Sequence, residues 1–236
     1  MKAKPKYKRV ILKLSGEALG GKKKTGLDVK TITAICLSIK KCHDEGAQIG
    51  VVVGGGNFWR GRTNNNMDKV RADQIGMLAT AMNALAIGDA LEKLGCEVRV
   101  QTAITMAQIA EPYIRQKALR NFEKRRIVIF GCGTGNPFFS TDSAAALRAA
   151  ELEADIMLKA TMVDGVFDKD PNIFKDAVKY DNLRHKEILV NGLRVMDGTA
   201  AAMCLENNIP LIVFNLDDPD NIYRAVMGEK IGTTII

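Results

Sequence analysis

Apolar runs that stop at glycine clusters recur along this chain. Tyr7 to Leu14 (YKRVILKL) is rich in β-formers and ends at Ser15-Gly16, which predicts a strand and a loop. From Val29 to Glu45, Ile32, Ile35, Cys36 and Ile39 fall on one face at helical spacing, and Gly46 closes the predicted helix. Gln48 to Val53 (QIGVVV) is a nearly continuous apolar strand that runs straight into Gly54-Gly55-Gly56-Asn57. The opening segment therefore reads as a βαβ unit.

A long helical pattern from Asp68 to Leu94 is carried by Leu78, Met82, Leu85 and Leu91, and a strand from Glu97 to Thr102 follows. The pattern then repeats. Arg126 to Phe130 predicts a buried strand, the loop GCGTGNPFFSTD follows it, and a helix from about Asp142 to Leu152 leads to a strand from Asp155 to Lys159. Leu211 to Asn215 and Thr233 to Ile236 supply two late strands. Strands alternating with helices, in apolar runs without in-out alternation, predict an α/β sandwich with a mostly parallel sheet covered on both faces. Ligands of such sheets sit beyond the carboxyl ends of the strands, so Gly16, Gly54 to Gly56 and Gly131 to Gly135 are expected to share one crevice. No Pro/Ser-rich linker, low-complexity segment or repeat divides the chain, and residues 1–236 are read as a single domain.

Composition narrows the chemistry. With 236 residues, 47% hydrophobic and 26% charged, the chain is ordinary globular material. No apolar run of about eighteen residues occurs, and the start, Met1-Lys2-Ala3-Lys4-Pro5-Lys6, is charged. A cytoplasmic protein that spans no membrane is expected. Five scattered cysteines without Cys-x-x-Cys spacing suit a reducing compartment. With only His43 and His185, a zinc site or a Ser-His-Asp relay is set aside. A net charge of +7 favours anionic partners, nucleotides or nucleic acids alike. Lysine clusters such as Lys22-Lys23-Lys24 lack the interleaved aromatics on which bases stack, so nucleic acid is not the expected partner.

Each glycine loop has a bland reading beside the chemical one. Gly16 to Lys22 fits G-x-x-x-x-G-K, but Lys23 stands where a P-loop needs a metal-binding hydroxyl, and the P-loop reading fails. Lys13 interrupts an apolar strand just before Ser15-Gly16; it is either a solvated strand-end lysine or an ammonium aimed at bound phosphates. Three glycines before Asn57-Phe58-Trp59-Arg60 exceed what a turn requires, and Arg60 could clamp a transferring phosphoryl group. Gly131 to Asn136 begins like a Rossmann fingerprint but has Asn136 at its sixth position, followed by Pro137. What remains there is a glycine- and hydroxyl-rich loop entering a helix whose amino end can bind an anion. Asp142 is readable as that helix's N-cap, or as a carboxylate that orients a lysine or a magnesium ion.

Taken together, KLSGE at Lys13 to Glu17, GGGNFWRG at Gly54 to Gly61, GTGNPFFSTD at Gly133 to Asp142 and KATMVDGVFDKDP at Lys159 to Pro171 closely resemble the bacterial uridylate kinases of the amino-acid kinase superfamily. The resemblance runs nearly end to end and implies a three-layer αβα sandwich that transfers phosphate from ATP to UMP with Mg²⁺. It implies Lys13, Arg60 and Asp142 as catalytic residues, with Asp142 orienting Lys13 and the metal and no side chain assigned as a direct metal ligand. ATP is expected at Lys13, Leu14, Ser15, Gly16, Gly56, Arg60, Thr161, Phe167 and Asp170. UMP is expected at Gly55, Asp73, Thr134, Gly135, Asn136, Pro137, Phe138, Phe139, Ser140 and Thr141. A homohexamer inhibited by UTP is also implied. Two rivals remain: another amino-acid kinase acting on a carboxylate or carbamate, and a nucleotide sensor or nucleic-acid-binding regulator that keeps the fold without catalysis.

Overall fold

The computed structural model describes residues 4–60, 67–193 and 195–236. The first three residues, and Gly61 of the glycine-arginine motif, lie outside them. The first half of the chain forms β1 (Arg9–Leu14), α1 (Gly16–Leu19), a 3-10 turn (Gly21–Lys23), α2 (Val29–Asp44), β2 (Gln48–Val53), α3 (Lys69–Lys93), β3 (Val98–Thr102), β4 (Glu111–Pro112) and α4 (Arg115–Glu123). There follow β5 (Ile127–Gly131), α5 (Thr141–Glu151), β6 (Ile156–Thr161), β7 (Val166–Phe167), β8 (Lys179–Tyr180), β9 (Asn182–Leu183), α6 (His185–Val190), α7 (Gly198–Glu206), β10 (Leu211–Asn215), α8 (Asn221–Met227) and β11 (Thr233–Ile235).

β1 lies at the centre of a nine-stranded sheet of order β4-β3-β5-β2-β1-β6-β10-β11-β9. It pairs in parallel with β2 on one side and β6 on the other. β10 and β11 pair antiparallel, and β7 and β8 form a separate antiparallel ribbon. Because successive side chains of a strand point to opposite faces, Val10, Leu12 and Leu14 join Val51 and Val53 under α2, α3 and α8. Ile11, Val52, Phe130 and Met157 face the other way, under α4, α5, α6 and α7. Both faces are buried, which is why the strands read as unbroken apolar runs. The result is a three-layer αβα sandwich. Lys13 and Lys159 continue the second face, two residues beyond Ile11 and Met157.

α3 departs from the sequence expectation. Leu91 of the expected apolar stripe is buried, whereas Leu78, Met82 and Leu85 are 53%, 46% and 37% exposed. The helix approaches the sheet so closely that a Cβ on Gly88 would lie 3.0 Å from Val100 Cγ2, and one on Gly131 3.3 Å from Ala81 Cα. Small residues, Ala81, Ala84 and Gly88, therefore face the sheet, and the larger ones turn outward. At the start of α5 the N-cap is Ser140, whose hydroxyl accepts from the N–H groups of Asp142 and Ser143; of the two readings of Asp142, the bland one as helix cap is therefore the one not taken up. The short elements α4, α6, α7, α8, β4, β7, β8 and β9 carry patterns too brief to show in the sequence. Among the described residues no helix is long and apolar enough to cross a membrane.

Candidate active site

The loops after β1, β2 and β5 meet at the carboxyl edge of the sheet. A Cβ on Gly16 would sit 2.6 Å from both Gly54 O and Gly56 N, so only glycine lets the first two loops touch. Gly54 N–H donates to Leu14 O at 2.9 Å, and Asn83 Nδ2 on α3 donates to Gly54 O at 2.7 Å. Asn57 and Asn83 exchange side-chain hydrogen bonds, and Asn57 Nδ2 also reaches Gly26 O. Gly55 lies against α3, where a Cβ would come within 2.9 Å of Ala79 Cβ and Gly76 O.

Beneath these loops stands a lysine-aspartate-lysine arrangement. Lys13 and Lys159 are register partners on the adjacent strands β1 and β6, so their ammonium groups rise side by side toward the first turn of α5. Lys13 Nζ forms an ion pair with Asp142 Oδ1 at 2.9 Å. Lys159 Nζ donates to Asp142 Oδ2 and to Val195 O. All three side chains are 11–13% exposed. Burial opposes ionisation of Asp142, but the Lys13 and Lys159 charges outweigh it and hold the carboxyl below its ordinary range. For Lys159 burial wins: with Lys13 repelling it, the ammonium is held below the ordinary lysine value despite Asp142.

Two cavities flank this arrangement. The smaller, about 280 Å³, is lined by Gly55, Asp73, Thr134, Asn136, Phe139, Ser140 and Thr141, together with Gly56, Trp59, Met77 and Thr80. The larger, about 620 Å³, takes in Thr161, Phe167 and Asp170, with Lys159 in its wall. Most residues expected to hold the acceptor thus share one cavity, and three expected to hold the donor share the other. Gly56, expected on the donor side, lies in the wall of the smaller cavity beside Gly55.

The exceptions have structural reasons. Gly135 packs against Ala103, with φ +81°, and does not line the smaller cavity. Phe138 is 63% exposed under the Lys69 ammonium, and its N–H donates to Asp73 Oδ2 at 2.8 Å; neither it nor Pro137 lines the cavity. Leu14 lines neither cavity: its side chain is fully buried under α2 and its carbonyl accepts from Gly54 N–H, so it shapes the first loop from below. Ser15 precedes α1 without a side-chain capping bond, and Arg60 pairs with Glu17 at 2.9 Å, tying the second loop to the first. Lys22 of the rejected P-loop match is exposed in the 3-10 turn.

Lys159 was legible in principle, since it closes an apolar strand just as Lys13 does; only the sheet reveals that the two are neighbours. Val195 and Asp197 carried no sequence signal. Among the described residues no three His, Cys, Asp or Glu side chains gather as a metal site. Asp142 is a single carboxylate already shared by two ammonium groups. Such a donor set fits Mg²⁺ only as an ion held mainly by nucleotide phosphate oxygens.

A mostly parallel sheet in an αβα sandwich, with glycine loops at its carboxyl edge and cations poised between two cavities, defines a phosphoryl-transfer scaffold. The model of the amino acid kinase family matches residues 8–215, and the chain belongs to that family. Among solved structures it is similar to the UMP kinase from Bacillus anthracis, at 39% identity and a TM-score of 0.94 over 97% of this chain and 96% of that one. The UMP kinase from Ureaplasma parvum is 37% identical, with a TM-score of 0.91 over 97% and 98% of the two chains. The uridylate kinase from Archaeoglobus fulgidus is 31% identical, with a TM-score of 0.73 over 96% and 99%.

Proposed function

We propose that this chain transfers the γ-phosphoryl group of ATP to UMP, giving UDP and ADP, as a step of pyrimidine nucleotide synthesis in the cytoplasm. The observation that carries the reading is Lys13-Asp142-Lys159 standing between a smaller and a larger cavity. UMP occupies the smaller cavity, with Asp73 for its ribose, and ATP the larger, with its base and ribose near Phe167 and Asp170. A phosphate oxygen of UMP attacks the γ-phosphorus, the bond to the β-γ bridging oxygen breaks, and ADP leaves with that oxygen's negative charge. The acceptor oxygen is already anionic at neutral pH, so no protein base is required; catalysis is positioning plus charge neutralisation.

Lys13 and Lys159 supply fixed positive charge where negative charge shifts during transfer, and Asp142 keeps the two ammonium groups from repelling each other apart. Backbone N–H groups of Gly16 and Gly56 approach the phosphates, and Arg60 adds a guanidinium at the rim. Mg²⁺ arriving with ATP would neutralise phosphate oxygens, with Asp142 the acidic group at the centre of the site. The whole chain acts as one domain in this reading.

A homohexamer is proposed as the working assembly, supported by the outward apolar residues Leu78, Met82 and Leu85 on α3. UTP shares its base and ribose with UMP and inhibits by competing for the smaller cavity. The reading is tested by ADP release with UMP, CMP, AMP, acetylglutamate and aspartate as acceptors. Turnover mainly with UMP is expected. Turnover mainly with an amino acid would overturn the reading in favour of another amino-acid kinase, and no turnover would favour a non-catalytic nucleotide sensor.

A further inference from the structure

Ser140 poses a bookkeeping question of donors and acceptors. Its hydroxyl has one hydrogen and two lone pairs. It accepts from Asp142 N at 3.0 Å and from Ser143 N at 3.2 Å, so its own hydrogen needs another acceptor. That acceptor is Asp197 Oδ2, on a different segment of the chain. The other carboxylate oxygen of Asp197 accepts from Ser143 Oγ at 2.9 Å, and also from Ala200 N at 3.0 Å as the N-cap of α7. Two residues earlier, Val195 O accepts from Lys159 Nζ. Asp197 lines neither cavity.

The segment from Val195 to Asp197 thus grips both Lys159 and the first turn of α5. Asp142 is the second residue of that helix, and Ser140 and Thr141 form part of the smaller cavity's wall. Val195 belongs to the wall of the larger one. We propose that Asp197 is a positioning residue for phosphoryl transfer: by holding Ser140 and Ser143 it fixes Asp142 between Lys13 and Lys159 and locks the walls of the two cavities to one another. Capping α7 alone would need one carboxylate oxygen and no serine partners. The two extra serine bonds, both crossing from α7 to α5, are what a purely local cap leaves unexplained.

The inference rests on the phosphotransferase reading, and the two can fail separately. Asp197→Ser keeps a side-chain acceptor for the α7 cap but is too short, with a single oxygen, to span to both serines. Measured with UMP and ATP, it is expected to lower kcat about tenfold or more, the loss that follows a displaced charged partner. UMP affinity, read from the fluorescence of Trp59, the chain's single tryptophan and a residue of the smaller cavity's wall, should change by less than about threefold, which is small beside one lost hydrogen bond. Ser140→Ala should lose kcat as Asp197→Ser does, Ser140→Thr should restore it by returning the hydroxyl, and the double variant Ser140→Ala/Asp197→Ser should be no worse than the poorer single one.

A folded Asp197→Ser enzyme with wild-type kcat, or single effects that multiply in the double variant, would overturn the proposal. Should Asp197→Ser not fold, the contrast between Ser140→Ala and Ser140→Thr decides alone: equal kcat in the two refutes the role. If the wild-type enzyme prefers another acceptor, the phosphotransfer-to-UMP reading fails, and the same variants are read with that acceptor.

Discussion

Replacing Lys13 with methionine removes one cation from the site while keeping a side chain of similar length. At the 2.9 Å separation seen between Lys13 Nζ and Asp142 Oδ1, the attraction lost is on the order of 6 kcal/mol at an effective dielectric of about 20. Most of that is offset, because the buried ammonium no longer has to be stripped of water, a cost of several kcal/mol. Asp142 also keeps Lys159. A net stability loss of roughly 1–3 kcal/mol is therefore expected. Catalysis should suffer more, since losing one preorganised charge-stabilising group costs about 100- to 1,000-fold in kcat.

The acid limb carries the same signature. Asp142 titrates below the ordinary 3.8 in the folded protein, so its stabilisation is present above that value and is lost as pH falls through the folded pKa. Without Lys13 the folded pKa rises toward 3.8, and the acid-induced loss of stability between the two values becomes smaller. The assay is ADP release at saturating ATP and UMP, paired with UMP titration of Trp59 fluorescence and with urea unfolding as a function of pH. A near-normal kcat would refute the placement of Lys13 at the transferring phosphoryl group. So would a loss confined to UMP affinity.

Other outcomes follow from the same geometry. Lys159 is held below 10.5 chiefly by burial, so stability should rise with pH through the window between its folded pKa and 10.5, while kcat falls there as the cation is lost. Lys159→Arg should remove that alkaline fall from the kcat-pH profile, because arginine stays charged. Gly16→Ala places a Cβ 2.6 Å from backbone atoms of Gly54 and Gly56. It should destabilise by about 1–3 kcal/mol in urea unfolding and abolish ADP release, since neither loop can retreat without moving the other. Leu78→Glu with Met82→Lys puts charges on exposed positions of α3. Sedimentation should show a smaller assembly with little change in the thermal unfolding of the chain itself.

Much of the fold could be read from the chain alone, because a strand buried on both faces must be apolar throughout and a glycine cluster must follow where backbones touch. β2 and β10 fall where the apolar runs place them, and β1, β6 and α2 differ only at their ends. Those runs, with Lys13 and the glycines at their ends, fixed the αβα class and the crevice edge. α3 misled for a physical reason: hydrophobicity marks burial only where there is room, and where the helix comes nearest the sheet, at Ala81 and Gly88, only small residues fit, while Ile87 and Leu91 find space beside them. Leu78, Met82 and Leu85 lie instead on the outward side of α3.

Local pattern alone determines which residues can form a strand, a helix or a phosphate loop, because those choices depend on neighbours a few positions away. Pairing across long separations is decided by tertiary structure. Lys13 and Lys159 become adjacent only because β6 takes its place beside β1, and Asp142 reaches both only because Ser140 caps α5 beneath them. Val195 and Asp197 enter through a carbonyl and a cross-helix carboxylate, groups whose partners no spacing rule can specify. The chemistry was carried by residues visible in the sequence, and their arrangement into one charge network was set by the order of the strands.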